Sequence, residues 1–573
     1  MISLSEAESV WDFLPLFAVM VLMPLLVVVS PAMALDQLNV YRVQQFDLHN
    51  SRYGSRQSVM NLESISVHQI KESFAKKCVI FKLNELLDQM ETFQTIIDET
   101  LVAGILIILP KTMKSLNEQQ LDKFLTLERF LVSREIQIPI YVTQESKQLL
   151  ALYEMQSTNI VKDSEEDRQQ SNLMKLYDSV MTNGYQLVVS GPQTLPLKDF
   201  LVTNVQAKLI GAGSEEQMPT IALVAHYDAF SIAPSLSFGS DSNGSGVVAL
   251  LEMLRLFSKL YSNPKTQPKV NLLFVLTGAG KFNYLGTKNW IEEQLDGSDT
   301  TLLTESLFSI CLDSLVNRDD TNGLYMHVSK PPKDGTPAAQ LFEDLKQIAS
   351  NSFTNPFNVS MIHKKINLAE ETLAWEHERF SIRRLPAFTL SALNSHRSLR
   401  RKSLTDVFDD KQLDPLYSNI NLISEVIAHQ MYKGFDTNLF DSDLRLSKTF
   451  VKSLLYQLTR QSRSQQLLLS TRKASQVDVS PVVRSLEQIM RRFCNDVQLI
   501  HIKVDNKDNE LVFYEPTQAV LNIYNVKPAI FDLIVSVVIA IYLLAFFVVL
   551  TNFHHLSSLT KKIVNSNGYH SKI

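Results

Sequence analysis

Two near-continuous apolar runs, TIALVAHYD (220–228) and VNLLFVLTG (270–278), flank GSGVVALLEMLRLFSKLY (244–261), whose apolar residues recur at helical spacing. A strand that is apolar on successive residues has no wet face, so both of its faces must be covered. Strand, helix and strand in that order predict a mostly parallel sheet with helices on its two sides. SLFSICLDSL (306–315), GLYMHVSK (323–330) and PAFTLSAL (386–393) read as further strands, and GTKNWIEEQL opens another helix. The fold class expected over 199–432 is therefore α/β, a three-layer α/β/α sandwich.

Upstream, residues 36–198 predict a smaller N-terminal α/β lobe. KKCVIFKL (76–83), VAGILIILP (102–110) and IQIPIYV (136–142) have strand length and β-branched content. The stretches from Asn84 to Thr100 and from Asn117 to Val132 read as helices. SEEDRQQSN (164–172) reads as an exposed connection. Residues 433–529 are charged and rich in Gln and Ser, and predict a helical, membrane-proximal region.

Leu533 to Thr551, LIVSVVIAIYLLAFFVVLT, carries no charge. At 1.5 Å per residue it is about long enough to cross a hydrocarbon core, so a transmembrane helix is expected over 530–552. Lys561, Lys562 and Lys572 follow it, which places the tail 553–573 in the cytosol and the body on the lumenal side. Phe13 to Leu35 is equally uncharged, and residues 1–35 read as a signal peptide or an N-terminal anchor. The sequons at Asn243 and Asn358 agree with a lumenal, glycosylated body.

Lys and Arg total 55 against 60 acids, which leaves no basic surplus to neutralise phosphates and argues against nucleic acid as a partner. The local RRFCND and LRRKS patches read as solvated helix faces. Cys78, Cys311 and Cys494 are too few for a disulfide framework and show no zinc-binding spacing.

Polar residues gather where the predicted strands end: His226 and Asp228, Ser240 to Asn243, Gly280 and Lys281, Asp313, and His396. In doubly covered sheets this is where function collects. AWEHERFSIRRLP (374–386) holds an E-H-E run, but alternating side chains on an extended segment point to opposite sides, so it reads as a polar rim.

In order, AHYDAF, SDSNGSGVVALLE, GAGKFNYLGTKNW and CLDS resemble the M28 family of zinc aminopeptidases over about residues 199–432. That family's pattern is H-x-D, D-N-x-S-G, G-x-E-E-x-G-x-x-G-S, L-D and a late His. The resemblance implies two zinc ions, a bridging Asp and a Glu general base. Zinc pairs need anionic and imidazole ligands, and a base must reach the metal-bound water. His226 matches the first ligand, Asp228 its orienting partner, Asp313 another ligand and His396 the last His, although SHRSLRRKS lacks the Pro and Asp context. The bridging Asp falls on Ser242, with Asp241 one residue early. The Glu pair falls on Gly280 and Lys281. Those replacements imply a vestigial site with no catalytic residue, no metal and no cofactor, in which Lys281 pairs with Asp241 or Asp313. A glycan on Asn243 would stand at the mouth of the old cleft.

Over nearly its whole length the chain resembles the nicalin family, a membrane-anchored branch of this fold that is related to nicastrin. The stretches that carry the likeness include YRVQQFDLHNSRYGSR (41–56), HVSKPP (327–332), INLAEE (366–371), AWEHERFSIRRLPAFTLSALNSHR (374–397) and VKPAIFDL (526–533). The resemblance implies a non-catalytic scaffold of the endoplasmic reticulum membrane. Its implied partners are nodal modulator protein, a small multi-spanning membrane protein, and the ribosome-associated translocon that inserts multi-pass membrane proteins. It also implies a role in restraining Nodal signalling. Two other readings stay open: a receptor that binds peptides in the vestigial cleft, and a residual metallo-aminopeptidase holding one metal at His226 and Asp313.

Overall fold

The computed structural model describes residues 35–67, 74–155, 184–191, 193–213, 218–296, 303, 306–316, 323–352, 357–432, 439–440, 444–473, 476–504, 510–515, 517–526 and 529–552. The N-terminal apolar segment before Leu35, the 164–172 connection and the 553–573 tail lie outside them.

The larger body is built on a 10-stranded mixed sheet. Its strands include β7 (Phe200–Leu209), β8 (Thr220–His226), β9 (Asn271–Thr277), β10 (Ser306–Leu312), β11 (Gly323–Val328), β12 (Asn358–His363) and β13 (Ala387–Ser391), numbered after six strands of the N-terminal lobe. The order is β12–β11–β13–β10–β8–β9–β7. β8 runs parallel to both β9 and β10, with His226 beside Thr277 and Val224 beside Cys311. Alternate residues of β8 enter different cores, as expected for a strand with two dry faces. Ile221, Leu223 and Ala225 share a core with α2 (Gly246–Tyr261), α4 (Pro337–Ser352) and α6 (Leu413–Met431). Ala222 and Val224 pack with Trp290 of α3 (Leu285–Asp296) and Phe380 of α5 (His377–Ile382). The expected three layers follow from that division.

The N-terminal lobe is a closed barrel of β1 (Asp36–Arg42), β2 (Met60–Ser66), β3 (Phe74–Lys82), β4 (Val102–Leu109), β5 (Ile140–Gln144), β6 (Gly184–Val189) and β15 (Gln518–Val526). Each strand contributes to one interior cluster, from Val40, Met60, Ile80 and Leu106 to Leu187 and Leu521. The outward residues Val79, Phe81, Ile105 and Ile107 pack with Phe124 and Leu127 of α1 (Glu118–Val132). Asn117 starts α1 through a capping box: its side chain accepts from Gln120 N–H, and Gln120 accepts from Asn117 N–H.

The described residues of 433–529 are not all helical as expected, but mix helices and strands. Helices α7 (Lys448–Thr459) and α8 (Pro481–Arg491) join the core of the larger body. β14 (Val497–Lys503) pairs with β7 over Leu201 to Ala207, and β15 closes the barrel between β1 and β6. The run IQIPIYV is split, with Glu135–Ile136 on a small second sheet and β5 in the barrel. The C-terminal apolar run forms α9 (Ala529–Thr551), with Leu533, Val537, Leu544 and Phe547 exposed. Among the described residues no helix is long and apolar enough to cross a membrane. A helix is present there, and a membrane span is not shown.

Candidate functional site

The carboxyl ends of β8, β9 and β10 bring His226, Thr277 and, one residue beyond β10, Asp313 to one edge of the sheet. Three connections close over that edge: 240–245 before α2, 278–284 before α3, and 396–406 after β13. Asn243 ties them to the strands. Its amide donates to the carbonyls of His226 (3.1 Å) and Leu312 (2.8 Å), while its oxygen accepts from Gly246 and Ser314 N–H.

Asp228 spends its carboxylate on the chain itself, accepting from Gly280 N–H at 2.7 Å and Lys281 N–H at 2.9 Å. This fixes the 278–284 turn directly above His226. His226 is fully buried, with Nδ1 at 3.2 Å from Glu376 Oε2. Glu376 Oε1 accepts from the hydroxyls of Thr277 (2.9 Å) and Thr287 (2.6 Å). A side chain at Gly280 would collide with the His226 ring.

Lys281 is 8% exposed and donates from Nζ to Ser242 Oγ at 2.6 Å, and that hydroxyl donates onward to the Arg401 carbonyl at 2.8 Å. The Asp313 carboxylate is taken by the Arg401 guanidinium, which also donates to Tyr284 Oη (3.0 Å) and the Ala374 carbonyl (3.1 Å). Arg401 lies 4.3 Å from the Trp375 ring centre, and His327 stacks on the same ring at 4.1 Å. Burial pushes the Asp313 pKa up, but Arg401 and then Lys281 outweigh it and hold the carboxyl well below its usual range. Burial lowers Lys281, with Asp313 opposing and Arg401 reinforcing.

Of the residues expected here, His226, Asp228, Ser242, Gly280, Lys281 and Asp313 converge. Asp241 is turned away: Oδ1 accepts from Val316 N–H (3.0 Å) and Ser245 Oγ (2.9 Å). The expected Lys281 pair with Asp241 or Asp313 gives way to the Ser242 hydroxyl, because Arg401 already occupies Asp313. His396 is half-buried on the cavity rim, and its carbonyl accepts from Arg401 (3.2 Å). The Asn243 sequon is corrected, since the amide nitrogen a glycan needs is buried and hydrogen-bonded. Asn358 is exposed.

Arg401, Glu376 and Asp406 were missed in the sequence. LRRKS is not a solvated face, because Arg401 turns inward to the buried Asp313 carboxylate. The E-H-E run is not a rim: Glu376, His377 and Glu378 are each 1% exposed and open a helix. Asp406 receives Asp241 N–H (2.9 Å) and Ser242 N–H (2.7 Å). The cluster of four charges in RRKSLTD (400–406) next to apolar strand ends was the available signal.

These residues do not fit a two-zinc centre. Asp313 is held by a guanidinium and Asp228 by two amides, and an ammonium stands in the ligand shell. Among the described residues no group of three or more His, Cys, Asp or Glu is placed to hold a metal ion. Above the cluster lies a cavity of about 830 Å³ between the barrel and the larger body.

The Peptidase family M28 profile matches residues 204–363. The chain is 39% identical to "BOS complex subunit ncln" of Danio rerio over 94% of both chains, and 38% identical to "BOS complex subunit NCLN" of Homo sapiens over 96% of both. It is 29% identical to "Nicalin" of Caenorhabditis elegans over 90% of both. Among solved structures, the gamma-secretase component nicastrin superposes with a TM-score of 0.57 at 11% identity, covering 85% of this chain and 99% of that one.

Proposed function

Because the chain belongs to the BOS complex subunit NCLN (nicalin) family, we propose that it is a non-catalytic scaffold subunit of an endoplasmic reticulum membrane complex. In this reading the body is lumenal, and α9 anchors it with the tail cytosolic. Its partners are nodal modulator protein, a small multi-spanning membrane protein and the translocon that inserts multi-pass proteins, with an effect on Nodal signalling. The observation that carries the non-catalytic part is the Arg401–Asp313 pair beside Lys281 and Ser242. In this reading Lys281 stands where the resemblance puts an acidic ligand, and Arg401 takes up the Asp313 carboxylate that a metal would need. Removing a general base alone costs about 10²–10⁴ in rate, and here a ligand carboxylate is replaced as well.

The anchor rests on the uncharged run Leu533 to Thr551 and on the exposed apolar side chains of α9. Such a surface demands a nonaqueous cover. The test is affinity purification of the full chain from membranes in mild detergent, with co-purifying proteins and zinc measured on one sample. Recovery with membrane partners and without stoichiometric zinc supports the reading. A lone, zinc-loaded monomer that cleaves aminoacyl substrates refutes it.

A further inference from the structure

The 830 Å³ cavity has the opposite charge to one that would receive an amino terminus. Lys281, Arg397 and Lys402 line one part of it, and Phe46, Leu125 and Phe230 line another. Among the described residues none of these three cations forms an ion pair, and the single hydrogen bond of the Lys281 ammonium is to Ser242. Lys402 Nζ stands 5.4 Å from the Phe230 ring centre. Two acids reach the rim, Glu370 and Glu371, but Glu371 is engaged by Tyr53 and by Ser51 (2.9 Å).

The acids that face these cations are already engaged, Asp313 by Arg401 and Asp228 by the Gly280 and Lys281 amides. An incoming anion therefore meets donors already in place that lose little freedom on binding it. We propose that this cavity is a receptor for a peptide carboxyl terminus whose last side chain is apolar. The carboxylate would lie between Lys281 and Lys402, and the side chain against Phe230 and Phe46. Phosphate fits less well between Lys281 and Lys402, because the guanidinium held there by contacts, Arg401, is already committed to Asp313 and Tyr284, and Arg397 is exposed. The volume exceeds that of a free anion and lies in the range of sites for drug-sized ligands. The proposal is independent of the membrane complex, since it concerns the isolated chain.

The experiment is fluorescence anisotropy on the full chain in detergent, with an amino-terminally fluorescein-labelled Ala-Ala-Leu-Phe peptide carrying a free carboxylate. The same peptide as its carboxamide, inorganic phosphate, and phosphatidylserine vesicles are the comparison arms. The expected result is saturable binding that weakens about tenfold or more for the amide, as for loss of a charge-assisted contact. Lys402→Gln, at an exposed position, should weaken binding of the acid and leave the amide unchanged while the unfolding midpoint stays fixed. Lys281→Gln should do the same if it folds. Equal binding of acid and amide, no binding at about 1 mM peptide, an unaltered Lys402→Gln, or binding of phosphate or vesicles alone would each overturn the proposal.

Discussion

Gly280 and His226 share a single space: a Cβ placed on Gly280 would lie 2.3 Å from both Cβ and Cγ of the histidine. The position on which the M28 resemblance puts a general base has no room for a side chain beside the neighbouring imidazole. His226 cannot withdraw, because Glu376 holds its ring and the strand pairing of β8 with β9 fixes its backbone.

Gly280→Ala should therefore destabilise the fold by about 1–3 kcal/mol, the range for overpacking a dense core. Gly280→Glu should cost more and should not create zinc binding. Thermal unfolding with metal analysis of the same samples checks both, and a stable, zinc-binding Gly280→Glu protein would contradict the geometry.

The Arg401–Asp313 pair predicts a strongly non-additive double-mutant cycle. Either Arg401→Met or Asp313→Asn leaves a buried partner uncompensated, at about 3–5 kcal/mol. The double variant should lose less than the sum of the singles. Urea midpoints of the four proteins measure it, and additive losses would mean that the pair is not coupled.

Glu128 of α1 is 1% exposed and accepts Leu404 N–H at 2.8 Å, joining the barrel lobe to the loop that carries Arg401. Burial raises its pKa from 4.5 to about 8, against weaker opposing hydrogen bonds from Ser403, Leu404 and Ile232. Between those values the folded state keeps a proton that the unfolded chain has released. This contribution to stability is thus full below pH 4.5, falls as pH rises, and levels off above about 8. At about 1.4 kcal/mol per pKa unit the change is at most about 5 kcal/mol. Glu128→Gln keeps an acceptor for Leu404 and should flatten this slope; an unchanged pH dependence of the urea midpoint would refute it.

Arg463 is fully buried and donates to the carbonyls of Tyr227 (2.6 Å), Phe238 (3.2 Å) and Gly239. Arg463→Ala leaves these acceptors unpaired, at about 1–3 kcal/mol for each that water does not reach. A chain ending after residue 432 should lose cooperative unfolding altogether, because β14 and β15 complete two different sheets. A sharp calorimetric transition in that truncation would show the region to be dispensable.

The three-layer body was legible because its strands are short, buried on both faces and bounded by helices of regular spacing. TIALVAHYD could only be a central strand, and it is one. His226, Asp228, Gly280, Lys281 and Asp313 were legible as a set because each falls at or just past a strand end, and Ser242 joined them through its place in the M28-like motif before α2. What the sequence could not convey was which distant side chain compensates the losses. Arg401 comes from a loop over a hundred residues beyond Lys281, and basic residues in loops usually meet water. Glu376 was hidden by reading its segment as extended, whereas it immediately precedes a helix that turns it inward. The 433–529 region misled for a different reason. Its strands, such as VQLIHIK and QAVLNIYNV, alternate apolar and polar residues as sheet edges do, and their partners lie hundreds of residues away.

That last pairing governs the order of events during synthesis. β15 sits between β1 and β6, so the first-made strand of the lobe waits for one of the last. Until the ribosome has delivered β15, the barrel is an open sheet with two bare edges, and the apolar lining around Leu187 and Met60 is unsealed. The nascent chain therefore needs a protected interval spanning almost its entire translation, and a stall late in the message would strand a product whose oldest part is its least finished.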